Sequence, residues 1–294
     1  MTGKTLQGLL LQVIGGFYYV EAAGAVYECK ARGTLRRENV SPVAGDRVTI
    51  GVLDDGRGVL QGVEPRRNVL VRPPVANLDC LAVVASVAEP RPNLLLIDKM
   101  IALAEDKGIE PIVVITKTDL PAEEFPEETY RAVGFSVFTV TTAQPDTALP
   151  LKEYLRGKIT AFTGNSGVGK SSLLNLLDPT LMRETGEISQ KLGRGRHTTR
   201  SAVLIPLGDG GYLADTPGFS SLDTERVLPI EKERVGDCFR EFDAYFGKCR
   251  FTGCSHVHEP DCAVRAAVDS GAIAPSRYSN YVTMYEAAVK HMIR

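Results

Sequence analysis

Gly164-Asn165-Ser166-Gly167-Val168-Gly169-Lys170-Ser171 is the stretch on which the fold turns. It fits G-x-x-x-x-G-K-[ST], a phosphate-binding loop, provided that a strand precedes it and a helix follows. Both conditions are met in the sequence. The β-branched run Ile159–Thr163 reads as a strand, and Ser172 with Leu173–Leu177 continues a helix. In this setting the glycines let backbone N–H groups curl around phosphate, and the helix N-terminus adds positive potential. Lys170 would reach the β- and γ-phosphates, and Ser171 would ligate Mg²⁺.

Two further boxes lie on either side. Downstream, Asp215-Thr216-Pro217-Gly218 ends a short strand at Tyr212–Ala214. An aspartate there can hold Mg²⁺, usually through water, and the Gly218 N–H can meet a γ-phosphate. Upstream, Thr116-Lys117-Thr118-Asp119 ends the strand Pro111–Ile115 and resembles the base-reading N-K-x-D box of GTPases. Asp119 would accept two hydrogen bonds from guanine N1–H and N2–H₂. Adenine lacks that donor pair, so an unpaired carboxylate would penalise it. The Lys117 stem would cover the base. Thr116 stands where asparagine is usual, so one side-chain amide is lost. Thr141-Thr142-Ala143 is a weak match to the loop that adjoins the base box. The order is unusual: base box at 116–119, phosphate loop at 164–171, D-T-P-G last. The boxes meet in space rather than in sequence, so the same sheet can be assembled from a circularly permuted chain.

Around these boxes, residues 69–225 alternate strands with helices, which predicts a mostly parallel sheet covered on both faces. Asp79–Ser86 reads as a buried strand. Asn93 caps a helix running to about Lys107, with Gly108 as its stop. A charged helix is expected near Glu123–Val133, a strand at Ser136–Val140 and a helix at Leu149–Arg156. Ser201–Leu207 and Tyr212–Ala214 form a strand pair around a Gly208–Gly211 turn. Segment 183–200 has no apolar periodicity, carries Lys191, Arg194, Arg196 and Arg200, and reads as a long mobile loop.

Residues 1–68 read as all-β. Leu9, Leu11 and Val13 alternate, followed by Phe17 with Tyr19, Val26 with Glu28, Val48 with Ile50, and Val59, punctuated by glycine turns. Short strands at this spacing predict a small closed barrel of the five-stranded nucleic-acid-binding kind. An RNA face would combine Phe17, Tyr18 and Tyr27 with Lys30, Arg32, Arg36 and Arg37. The plain alternative is that the aromatics are barrel core and the arginines a solvated face. Residues 226–294 are mixed, with amphipathic helices expected near Ile230–Phe246 and Tyr278–Met292. Between them, Cys249, Cys254, His256 and Cys262 offer three thiolates and an imidazole, a set that suits closed tetrahedral Zn²⁺; His258 is a rival ligand. Cys29 and Cys80 fall in strand patterns and read as core, and Cys238 as a helix face.

Composition sets the outer limits. The 294 residues are 44% hydrophobic and 24% charged, which excludes wholesale disorder and fibrous architectures. No stretch approaches the roughly 18–20 apolar residues of a membrane span. The net charge of −2 gives no global nucleic-acid signal, but it divides as +2 over residues 1–68, −5 over 69–225 and +1 over 226–294. Any polyanion contact is thus expected from the flanks. Met1–Gly16 carries a leucine-rich run that Gln12 breaks before it flows into alternation, so it reads as a strand and not as a secretion signal.

Barrel, permuted boxes and zinc cluster together resemble one family, the circularly permuted GTPases that act in maturation of the small ribosomal subunit. The resemblance covers nearly the whole chain. It implies an N-terminal OB-like barrel (1–68), a permuted α/β GTPase domain (69–225) and a C-terminal helical zinc-binding domain (226–294). Gly195-Arg196-His197-Thr198-Thr199 matches the family's first switch loop, so Thr198 or Thr199 would sense Mg²⁺ and the γ-phosphate. Phe219 follows Gly218, where many GTPases place a water-orienting glutamine. Slow intrinsic hydrolysis is therefore expected, and His197 is a candidate to position water, against the plain reading of a solvated loop histidine. The implied cofactors are GTP or GDP with Mg²⁺ and one structural Zn²⁺. The implied partner is the small subunit with its 16S rRNA, engaged by a cytoplasmic monomer without membrane contact. Two rivals stand beside this reading: a non-catalytic RNA-binding assembly scaffold set by nucleotide, and a signalling GTPase activated by a protein.

Overall fold

A computed structural model describes residues 4–31, 41–71, 73–121, 125–179, 202–208, 210–215 and 230–292. Its contacts fall into two compact units. One is drawn from 1–80, 145–162 and 170–220, the other from 81–144, 163–169 and 221–294.

The first unit opens with a closed barrel of β1 (Thr5–Ile14), β2 (Phe17–Ala22), β3 (Ala25–Ala31), β4 (Arg47–Val52) and β5 (Gly58–Val63), in the order β1-β2-β3-β5-β4. Gly15 and Gly16, at φ +56° and +84°, make the two-residue turn between β1 and β2. Both central positions of such a turn need positive φ, which explains the glycine pair. The alternation expected through Leu9, Leu11 and Val13 is corrected at β1. The register against β2 shifts between Leu10 and Gln12, so Leu11 is a bulge residue and Leu10, not Leu9, is the fully buried side chain. A bulge of this kind adds one unpaired residue and resets which face points inward. Leu10, Val20, Cys29, Val48, Ile50 and Leu60 form the barrel core, with Tyr18 and Tyr27 packed against it.

A polar joint ends the barrel. Buried Asp46 accepts hydrogen bonds from the Val43 N–H (2.7 Å) and from Arg66 Nε (2.7 Å). Asn77 Nδ2 donates to the Gly45 carbonyl at 2.9 Å, while Asn68 bonds both the N–H and the carbonyl of Leu78. At Gly45, φ is +90° and an added Cβ would lie 2.0 Å from the Ala76 carbonyl oxygen, so only glycine fits. The chain then forms the hairpin of β6 (Val69–Val71) and β7 (Pro74–Ala76). The same unit holds α3 (Leu149–Leu155), β11 (Ile159–Thr163) as far as Phe162, α4 (Lys170–Leu177), β12 (Val203–Pro206) and β13 (Tyr212–Asp215). β11 pairs parallel with β13, and β12 returns antiparallel.

The second unit begins at β8 (Cys80–Ser86), buried at every position, and continues through α1 (Leu94–Asp106), β9 (Glu110–Thr116), α2 (Glu127–Ala132) and β10 (Ser136–Val140). Asn93 caps α1 as expected, its Oδ1 accepting the Leu96 N–H at 3.0 Å. The expected helix near Glu123–Val133 is shorter in its described part. It starts at Glu127, because Pro126 caps it and proline is poorly accommodated inside a helix. The strand order of the large sheet is β10-β9-β8-β11-β13-β12. The chain therefore enters mid-sheet at β8, moves out to β10, and returns to β11, whose end carries the phosphate loop. This is the permuted α/β order expected.

The C-terminal region departs from expectation. No single helix covers Ile230–Phe246. There is one turn, α5 (Lys232–Val235), then 3₁₀ segments at Gly236–Cys238 and Arg240–Tyr245, separated by extended Phe239. The extended residue lets Phe239 and Phe242, both fully buried, turn to one side and stack with ring centroids 5.4 Å apart. Cys238 lies buried in the first 3₁₀ segment and not on a helix face. Helix α6 (Ala263–Asp269) was not expected: its seven residues begin at the cysteine cluster and are too few for apolar periodicity to show. Helix α7 (Pro275–Met292) starts earlier than Tyr278.

Candidate functional site

Three glycines shape the phosphate loop between β11 and α4. Gly164, Gly167 and Gly169 have φ of +144°, +81° and +96°. At Gly164 a Cβ would also lie 2.2 Å from the Val84 carbonyl oxygen, so the loop can approach β8 only without a side chain. Asn165, Ser166 and Val168 fill the remaining positions, with Val168 buried and Ser166 exposed. Lys170 opens α4, followed by Ser171 and Ser172. Burial lowers the Lys170 pKa, an effect that a bound phosphate would reverse.

The base box is held against this loop from within the second unit. β9 and β10 pair in parallel with Thr116 opposite Val140, which brings Thr116–Asp119 beside Thr141–Ala143. The Thr116 hydroxyl lies 2.5 Å from the Val168 carbonyl and 3.0 Å from that of Ala85. Lys117 sits at φ +61°, a conformation uncommon for a non-glycine residue, and its Nζ donates to the Glu89 carbonyl. The Thr141 hydroxyl donates to Asp119 Oδ1 and accepts the Ala143 N–H at 3.2 Å. The match of Thr141-Thr142-Ala143, weak in sequence, is thus a direct contact in space. The whole set lies at the carboxyl ends of β8, β9 and β11, where the strand order reverses and open α/β sheets bind ligands. Asp215 ends β13. His197, Thr198, Thr199, Gly218 and Phe219 lie outside the described residues, as do Arg32, Arg36, Arg37 and the 183–200 segment. Of the expected RNA face, Tyr18 and Tyr27 lean on the barrel core, whereas Lys30 Nζ lies 5.1 Å from the Phe17 ring centroid.

The second candidate centre is the cysteine cluster. The ligand atoms of Cys249, Cys254, His256 and Cys262 all lie within 4.8 Å of one another. Cys249 Sγ is 3.5 Å and Cys262 Sγ 3.3 Å from His256 Nδ1, and the two sulfurs are 3.9 Å apart. A tetrahedron with Zn–S near 2.3 Å and Zn–N near 2.0 Å has edges of about 3.8 and 3.5 Å, so the four residues fit such an ion. His258 is exposed and outside the cluster. Burial pushes the Cys254 thiol up to about 12, helped by the neighbouring Cys262 and Cys249, so a cation is needed to hold this sulfur as a thiolate. The surrounding shell escapes a reading of spacing alone. Glu259 accepts the N–H groups of Ser255, Val257 and His258 and the Ser255 hydroxyl. The bonds from Ser255, and after them the His258 N–H, hold its carboxyl down to about 2 against burial. Tyr278 and Tyr281 donate to the His256 and Ser255 carbonyls at 2.8 and 2.5 Å.

Comparison with known proteins decides the family. Residues 63–225 match the family model described as RsgA GTPase, and residues 7–60 match the RsgA N-terminal domain. The chain belongs to the RsgA GTPase family. It is 44% identical over 284 residues to the small ribosomal subunit biogenesis GTPase RsgA of Caldanaerobacter subterraneus subsp. tengcongensis, covering 96% of this chain and 95% of that one. It is 45% identical over 282 residues to RsgA of Moorella thermoacetica, covering 95% and 96%. Among solved structures, YjeQ from Thermotoga maritima superposes with a TM-score of 0.84 at 36% identity, covering 97% of this chain and 99% of that one. YloQ, described as a circularly permuted GTPase, gives 0.82 at 33% identity, covering 98% and 96%. The chain is accordingly an RsgA-type GTPase with a permuted α/β domain.

The cysteine cluster yields a direct expectation. Chelation at neutral pH should remove one zinc ion per RsgA-type chain and melt the C-terminal region, because the four side chains lose the ion that bonds them together. Metal analysis with circular dichroism reads this out. H258A should keep its zinc and C254S should lose it; zinc loss in H258A would contradict the ligand set.

Proposed function

We propose that this GTPase binds the small (30S) ribosomal subunit, assists its late maturation, and leaves when GTP is hydrolysed. The observation that carries the nucleotide half is the joint placement of Asp119, oriented by Thr141, and the phosphate loop, tied to Thr116. In this reading Asp119 accepts the guanine N1–H and N2–H₂, and Lys117 covers the base. The loop amides of Gly164–Gly169 and Lys170 stabilise charge that develops on the phosphates as water attacks the γ-phosphorus. Mg²⁺ supplies charge neutralisation when bound, and Ser171, Thr198 and Asp215 would hold it. Gly218 and Thr199 would contact the γ-phosphate.

Residues 1–68, 69–225 and 226–294 are proposed as barrel, GTPase and zinc-binding parts. The two outer parts grip 16S rRNA and the middle one times release. The protein would act as a cytoplasmic monomer; among the described residues no helix is long and apolar enough to cross a membrane. The relatives named above carry the small subunit in their names, and this supports the choice of partner. Phe219 favours a second reading, a scaffold whose conformation nucleotide sets without turnover. Sedimentation with purified small subunits tests the docking cycle. Binding with a non-hydrolysable GTP analogue and release with GDP are expected; equal binding in both states would sink it.

A further inference from the structure

Thr116 departs from the usual asparagine, and its surroundings show what the departure does. The side chain is 5% exposed at the end of β9. A threonine hydroxyl has one proton to donate. Among the described residues the acceptors within reach are both main-chain carbonyls: Val168 in the phosphate loop at 2.5 Å and Ala85 in β8 at 3.0 Å. The single O–H is therefore engaged inward, and the rest of the side chain is a methyl group. The loop also rests directly on it: a Cβ at Gly169 would lie 3.7 Å from Thr116 Oγ1 and 3.9 Å from its Cβ. An asparagine amide carries two N–H groups. One can serve these carbonyls while the other points out towards the acceptor edge of a purine, where guanine presents N7 and O6. Threonine can do the first and not the second.

We infer that Thr116 is a positioning residue that fastens the phosphate loop to the base-reading strand, and that no side chain at this position reads guanine N7. Recognition then rests on the Watson–Crick edge, through Asp119. The inference deepens the guanine reading proposed above and rests on it. It names a ligand class: guanine nucleotides altered at N7 bind as well as GTP.

The test is equilibrium binding of GTP, 7-deaza-GTP, ITP and ATP to the full chain and three variants. Wild type should bind GTP and 7-deaza-GTP within about twofold of each other, and ITP, which lacks the 2-amino donor, about tenfold more weakly. Thr116→Asn should gain a preference for GTP over 7-deaza-GTP of about three- to tenfold, the worth of one added hydrogen bond. A purely structural role would not move that ratio. Thr116→Ser keeps the hydroxyl and should keep the wild-type pattern. Thr116→Val should weaken both nucleotides equally, by about tenfold, because the one donor that the Val168 and Ala85 carbonyls share is lost. Wild type that rejects 7-deaza-GTP by three- to tenfold would overturn this inference and leave the guanine reading intact. Wild type that does not prefer GTP over ATP would overturn the guanine reading and this inference with it. Thr116→Val that binds like wild type would overturn the positioning role.

Discussion

Asp119→Asn is expected to move base preference from GTP to XTP by at least about 10²-fold. The carboxylate is acceptor-only and is placed to take two N–H groups of guanine. An amide offers one donor and one acceptor, which suits the 2-oxo group and N–H of xanthine. Hydrogen bonds to a charged group are worth about 1.5–3 kcal/mol each, so losing one and setting the amide N–H against a guanine N–H reaches that ratio. The Thr141 hydroxyl that now donates to Asp119 can donate equally to the amide oxygen, so the variant keeps its orientation. Competition binding with GTP, XTP and ATP checks it. Retained GTP preference in Asp119→Asn would place the base elsewhere.

A second large effect is expected far from the nucleotide. Arg277 is 1% exposed on α7 and bonds Asp98 Oδ1 on α1 at 2.7 Å and both Glu241 oxygens at 2.7 and 3.0 Å. Its guanidinium lies over the rings of Phe239, Phe135 and Tyr130. Asp98 also accepts from Tyr130 and from Asn280. Arg277→Ala leaves two buried carboxylates without their cation and should cost about 3–5 kcal/mol. Replacing the charges together, as Asp98→Asn with Glu241→Gln and Arg277→Met, should recover most of this, because the penalty comes from uncompensated charge. Urea unfolding followed by tyrosine fluorescence suits a chain with ten tyrosines and no tryptophan. A cost below about 1 kcal/mol for Arg277→Ala would show that the network contributes little.

The sequence was most legible where a rule is local. Asn93 caps its helix, Gly108 ends it, and the glycines of the phosphate loop occupy the positive-φ positions that the motif demands. Cys249, Cys254, His256 and Cys262 come together in the spacing that chemistry suggested. Legibility failed where distant packing decides. The bulge at Leu11 inverts the barrel alternation, and nothing in a period-two pattern marks an extra residue. Phe239 breaks the expected helix because burying three aromatic rings together outweighs continuing a helix interrupted at Gly236. Arg277, Asp98 and Glu241 are separated by up to 179 residues, and only the tertiary fold shows that the charges answer one another. Asp98 within an apolar helix stripe was the available signal: a buried carboxylate requires a partner somewhere.

The central claim is a GTPase that works on the small ribosomal subunit, and phosphate release tests it most directly. The rate should be measured from GTP and from ATP, alone, with purified small subunits, and with large subunits. The account predicts slow release alone and strong stimulation by small subunits, with GTP only. Guanine nucleotide binding without any stimulation by small subunits would contradict it.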